Sequence, residues 1–349
     1  MPPEFPDPSC SADEEMDIHA AETASPRQAI CYRTNTPLCI DGKATEPIWA
    51  HALWSEDFID IEGPLKPPPR FRTRMKMLHD DVNLYVHAEL EEPHVWGTIT
   101  KRNEVIFHDN DFELFIDPDG DNHNYYELEV NALGTIWELS LPKPYRCGGE
   151  PRDPDPLEGV QVGVHVDGTL NAPGSEDRGW CVTIAIPFAG LSRFAGKDQA
   201  CPPRDGDQWR MNFSRVQWPH EIVDGAYRKI EGAKADNWVW SRQGVIDMHR
   251  PSTWGCLQFS DLIAGQGEAK VDPDSTRAAR NVLMGIWERQ QRRHEPSADL
   301  EALGLGDLTA PITITRQGDA WRATMLCEGP SGRVEVSVDH AAHFTIRPR

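Results

Sequence analysis

The stretch Asp109–Asn131, DNDFELFIDPDGDNHNYYELEVN, constrains the fold more than any other, because a period-two alternation holds on both sides of an Asp/Gly-rich turn. On the first arm Phe112, Leu114 and Ile116 share a face, and Asp111, Glu113 and Asp117 share the other. On the second arm Tyr126, Leu128 and Val130 oppose Glu127, Glu129 and Asn131. The pattern predicts a β-hairpin with one apolar and one acidic face. Two readings of the acidic face are open: a solvated sheet surface, or a row of hydrogen-bond acceptors for a ligand.

Similar short runs recur along the chain between turn signals: residues 71–78, 83–89, 135–141, 160–166, 180–187, 209–218 and 254–259. That rhythm predicts a mainly β fold, an antiparallel β-sandwich. Val160, Val162, Val164 and Val166 share one face, as do Trp180, Val182, Ile184 and Ile186, and both strands read as core. Trp49, Trp180, Trp209 and Trp254 sit in core-like patterns, whereas Trp96, Trp238 and Trp240 sit nearer loops, where binding side chains concentrate. Residues 1–30 are rich in Pro, Ser, Asp, Glu and Ala and read as a disordered tail, because they offer little apolar surface to offset ordering entropy. The sandwich is expected over 31–262, a linker over 263–274 and a small C-terminal α+β appendix over 275–349. Within the appendix, Ala279, Leu283, Ile286, Trp287 and Gln290 recur at helical spacing, and residues 311–315, 321–326 and 334–338 alternate like strands.

The formal charge of -21, from 35 Lys+Arg against 56 Asp+Glu, argues against nucleic acid and anionic membranes as partners. No run approaches the ~20 apolar residues that membrane insertion needs, and MPPEFPDPSC lacks the basic and apolar regions of a signal peptide. The eight cysteines form no C-x-x-C pair, which leaves a zinc ribbon or thioredoxin-like motif without support. There is likewise no H-E-x-x-H, G-x-S-x-G or phosphate-binding loop.

The segments DGKATEPIW, HDDVNLYVHAEL, DNDFELFIDPDGDNHNYYELEVNALGTIWELSLPKPY, GWCVTIAIPF, DGDQWRMNFSRVQW and NWVWSRQGVIDMHRPSTWGCLQFSD together resemble carbohydrate-binding module family 9, over roughly Pro37–Asp261. The resemblance implies a β-sandwich of the family 9 and DOMON-like kind, a carbohydrate ligand, association with glycoside hydrolases in carbohydrate catabolism, and a secreted or periplasmic location. It places Glu113 at the family's acidic ligand-binding position. Phe107 stands where sugar-binding members carry Trp, Met248 near their second aromatic, and Glu129 where they carry a basic residue.

Sugar recognition needs planar polar partners beside an apolar plate. The candidate ligand-binding residues are therefore Glu113, Glu129, Asn131, Arg210, Asn212, Phe107, Trp96 and Trp240. Arg210, Asn212 and Ser214 share one strand face, and Arg210 has a second reading as the cation that neutralises the carboxylate row. Asp117, Asp119 and Asp121 place hard oxygen ligands at alternate turn positions, a Ca²⁺ arrangement unlike an EF-hand; a solvated acidic turn is the other reading. Two rival functions are a glycoside hydrolase using Glu113 and Glu129, and a haem module using Met248 and His249.

Overall fold

A computed structural model describes residues 26–64, 66–197, 199–293, 296–303, 311–329 and 332–349. Most of the expected N-terminal tail, residues 1–25, lies outside this set, as do His294 and Glu295 and the stretch 304–310. The larger unit contains strands β1 (Gln28–Arg33), β2 (Ile59–Asp60), β3 (Thr73–His79), β4 (Asn83–Glu91), β5 (Asp111–Asp117), β6 (Tyr125–Asn131) and β7 (Ile136–Leu141). It continues with β8 (Gln161–Asp167), β9 (Gly179–Pro187), the helical turn α1 (Phe188–Leu191), β10 (Gln208–Gln217), β11 (His220–Val223), β12 (Ala226–Lys229), β13 (Asp236–Val239) and β14 (Gly255–Ile263).

These strands form one sheet in the order β7-β6-β5-β10-β14-β1-β3-β4-β9-β8, with β13 beside β10 and β2 beside β13. The two halves fold over one core: Phe112, Leu114, Ile116 and Leu128 from one side meet Val86, Val182, Ile184 and Ile186 from the other. Each of these buried side chains contributes roughly 1.5–3 kcal/mol relative to exposure. The pairings are antiparallel except at β1, which runs parallel to both β14 and β3 and joins the halves. β1 starts at Gln28, so its first residues belong to the sheet and not to the tail; Cys31 and Tyr32 are buried there. Strand β8 lies at the sheet's edge, and its valines are only partly buried against the core.

The β5–β6 hairpin has the expected strand boundaries. Its turn is tied by Asp117, whose two carboxylate oxygens accept the Gly120 and Asn122 N–H groups, both at 3.0 Å. Gly120, Asn122 and Asn124 all have positive φ, which suits Gly and Asn. The outer face is not solvated: all seven residues of each strand are buried. Its cause is a second apolar layer, with Phe115, Tyr125, Trp137, Leu139, Leu141 and Trp254 packed over that face and joined by half-buried Phe107, Tyr145 and Met248.

The C-terminal unit pairs helix α2 (Arg277–Gln291) with a four-stranded sheet of β15 (Ile312–Gln317), β16 (Ala320–Gly329), β17 (Gly332–Asp339) and β18 (Phe344–Pro348). It has its own core of Leu283, Ile286, Trp287, Trp321, Val336 and Phe344. The unit docks on the Asp117–Tyr125 turn. Asn122 donates to Ala342 O at 3.0 Å, Arg280 donates to Gly120 O at 2.6 Å, and His343 Nε2 lies 2.8 Å from Asp121 Oδ2. The connecting segment is laid along the sheet: Gln258 exchanges bonds with Lys270 and Asp272, and Asp274 pairs with Arg210 at 2.5 Å. Among the described residues no helix is long and apolar enough to cross a membrane.

Candidate ligand-binding face

Because β5 and β6 pair in register, Glu113 stands opposite Glu129, Phe115 opposite Glu127 and Asp111 opposite Asn131. On the other side of β5, Ser214 of β10 stands opposite Glu113. Alternation puts these side chains on the outer face, where four carboxylates, from Asp111, Glu113, Glu127 and Glu129, lie buried together. Asp111 Oδ1 accepts the Val216 N–H at 3.1 Å, and Glu129 Oε2 accepts the Phe107 N–H at 2.8 Å. Asp111 Oδ2 and Glu127 Oε2 are buried with no hydrogen-bond partner.

Burial raises the pKa of all four, and Glu113 is pushed up to about 7. Neighbouring negative charge adds to the effect at Asp111, Glu127 and Glu129. Among the described residues, their ion pairing comes down to one long contact, Glu127 Oε2 to His249 Nε2 at 3.9 Å. Burial brings the His249 pKa down to about 4, so that imidazole is neutral near pH 7.

The expected site residues divide into two groups. Glu113, Glu129 and Phe107 come together: Phe107 lies on the short turn Ile106–His108 over the row, its ring 6.1 Å from that of Trp137. Asn131 borders them but is fully engaged, donating to Ile99 O and Asp109 and accepting from the Leu133 and Thr135 N–H groups. It thereby fixes the loop that carries Phe107. The other group lies elsewhere. Asn212 is buried and spends its amide on Ser241 and the Phe213 N–H. Trp240 is buried in the main core against Phe213, and Trp96 is buried beside Tyr227 and His220. Arg210 pairs with Asp274 at the seam with the C-terminal unit, so it does not neutralise the carboxylate row.

Asp111, Glu127, Trp137 and Tyr145 are additional members of this face. The signal for Asp111 and Glu127 was the alternation itself; for Trp137 it was its place opposite Glu129 on β7. The proposed haem ligands have other tasks: His249 Nδ1 lies 3.1 Å from the Tyr125 hydroxyl, and the Met248 carbonyl accepts the Trp254 indole N–H at 2.7 Å. Asp117, Asp119 and Asp121 do bring carboxylate oxygens within 4.8 Å of one another, and so do Asp111, Glu113 and Glu129.

A mainly β fold carrying an acid-lined, aromatic-flanked sheet face is thus the class of protein defined by the coordinates. Residues 40–140, which include β5, β6 and the Phe107 turn, match the family described as carbohydrate family 9 binding domain-like. Among solved structures, a Bacteroides uniformis ATCC 8492 protein named for a proposed carbohydrate-binding role shares 18% identity, covering 68% of this chain and 100% of its own, with a TM-score of 0.49. A family 9 carbohydrate-binding module from Caldicellulosiruptor kristjanssonii in complex with cellotriose shares 14% identity over 71% of this chain and 100% of its own, with a TM-score of 0.44. The corresponding complex with glucose gives 15%, 70%, 100% and 0.43. No curated protein matches the chain.

Proposed function

We propose that this protein is a carbohydrate-binding module of the family 9 kind, and that its ligand face is the carboxylate row of β5 and β6 beneath Phe107. The observation that carries the reading is the juxtaposition, inside the family-matched stretch, of buried acceptor oxygens lacking hydrogen-bond partners with the aromatic side chains of Phe107 and Trp137, which Tyr145 joins from just beyond that stretch. Sugar hydroxyls donate to carboxylates, and the C–H face of a pyranose packs on an aromatic ring, so acceptors and plate serve one ligand. Phe107 is half-buried and His108 exposed, so in this reading the ligand approaches from their side. In this reading the module serves carbohydrate catabolism by holding a glycan for a partner glycoside hydrolase. A glycan-array screen of the full chain, with and without EDTA, tests it. Retention of at least one glycan, lost in Phe107→Ala, is the expected result; a blank array in both buffers contradicts it.

A further inference from the structure

Among the described residues, the carboxylate row lacks the counter-charge that its burial demands. Asp111, Glu113 and Glu129 are 0%, 5% and 1% exposed, and one oxygen from each lies within 4.8 Å of the others. Oxygens that share one calcium ion at about 2.4 Å lie at most about 4.8 Å apart, so the three fit a common centre. The backbone supplies one N–H to Asp111 and one to Glu129, while Asp111 Oδ2 and Glu127 Oε2 stay without a partner. The Ser214 hydroxyl, fully buried on the neighbouring strand and beside Glu113, adds an uncharged oxygen to the same donor set but no counter-charge. Buried like charges without a counter-ion are unfavourable, and such groups take up protons or a cation.

We propose that Asp111, Glu113 and Glu129 hold a divalent cation of the calcium type on this face, with Glu127 and Ser214 beside it. The all-oxygen, mostly anionic donor set selects a hard ion over a soft one. The acidic turn at Asp117, Asp119 and Asp121 is equally compact but already served. Both Asp117 oxygens accept backbone N–H groups, Asp121 takes the His123 N–H and His343, and Arg280 sits alongside. The ion belongs to the row, which has no such cations among the described residues. Its effect on glycan affinity rests on the sugar-binding reading; the ion itself does not.

The test uses the full chain, Tb³⁺ luminescence sensitised by tryptophan, and melting temperature in Ca²⁺ or EDTA. Trp137 stands opposite Glu129 in register and supplies a nearby sensitiser. Saturable Tb³⁺ emission reversed by Ca²⁺, together with a higher melting temperature in Ca²⁺, is expected for the native chain. Glu129→Gln and Asp111→Asn should each weaken the affinity at least about tenfold, and Asp119→Asn should leave it unchanged. Circular dichroism reports whether each variant folds, and Glu113→Gln replaces any that does not. No emission and no melting shift up to about 10 mM Ca²⁺ overturns the proposal, as does a loss confined to Asp119→Asn. Cation binding without glycan binding sinks the sugar reading alone. Glycan binding with no cation site sinks this proposal alone.

Discussion

Glu113→Gln should stabilise the protein at pH 8 and do little at pH 4.5, because the wild-type carboxyl is buried where its charge is poorly compensated. Its pKa is raised from the ordinary 4.5 to about 7 in the folded state. A raised carboxyl pKa means that the native state holds the proton more tightly than the unfolded chain. Stability therefore falls as pH rises from about 4.5, stops falling near 7, and stays lower above that. A difference of about 2.5 in pKa corresponds to about 3 kcal/mol. Glutamine keeps the shape, carries no charge, and its amide can donate to the carboxylates of Glu129 and Asp111. The variant should thus recover up to about 3 kcal/mol at pH 8, and close to none at pH 4.5. Guanidinium unfolding followed by tryptophan fluorescence, at both pH values in EDTA to keep cations out, measures the difference. A variant that is destabilised equally at both pH values would refute the reasoning, since Glu113 would then carry no folding-linked proton.

Three further outcomes follow from the seam between the two units. Hydrogen bonding to Asp121 raises the His343 pKa, so its contribution is fully present below the unfolded value of about 6.5 and fades as pH rises through the folded value; His343→Gln should flatten that dependence in melting curves from pH 5 to 8, and an unchanged slope would remove His343 from the account. A chain of residues 26–275 should fold alone around the sandwich core, which would show as a cooperative melt, whereas an unfolded product would mean that the C-terminal unit completes that core. Ending the chain at 262 instead also deletes Asp274, but with the C-terminal unit gone Arg210 faces water, so the lost pair should cost no more than roughly 1 kcal/mol relative to the 26–275 chain, and a loss of several kcal/mol would show that Arg210 stays buried without that unit.

The hairpin was legible because a strict alternation over two seven-residue arms leaves one register that buries Leu114 and Leu128 together. The same alternation put Phe115 on the acidic face, the local sign that this face would also be covered. Its cover, with Trp254 and Met248 from a loop more than a hundred residues away, depends on contacts that no local pattern encodes. Strand β1 was hidden for a related reason: it is six residues long at the end of a polar stretch, and it is stabilised by parallel pairing to β14, over two hundred residues on. Trp238 and Trp240 looked loop-like because β13 spans only four residues, yet both are core side chains. In the candidate site, chemistry-bearing types on one strand pair were readable, as at Glu113 and Glu129. Partnerships across the fold were not, as with Arg210, whose carboxylate is Asp274 and not the row.

The central claim, a sugar-binding face built on Glu113 and Phe107, is tested most directly by calorimetric titration of the best array glycan into the wild type, Glu113→Gln, Phe107→Ala and, as a control away from the face, His343→Gln. Each of the first two substitutions should weaken binding by roughly 1–3 kcal/mol, about 5- to 150-fold in Kd, through a lost charge-assisted hydrogen bond or a lost stacking plate. The His343→Gln control should bind like the wild type. Unchanged affinity in both Glu113→Gln and Phe107→Ala would place the glycan on some other surface and contradict the account.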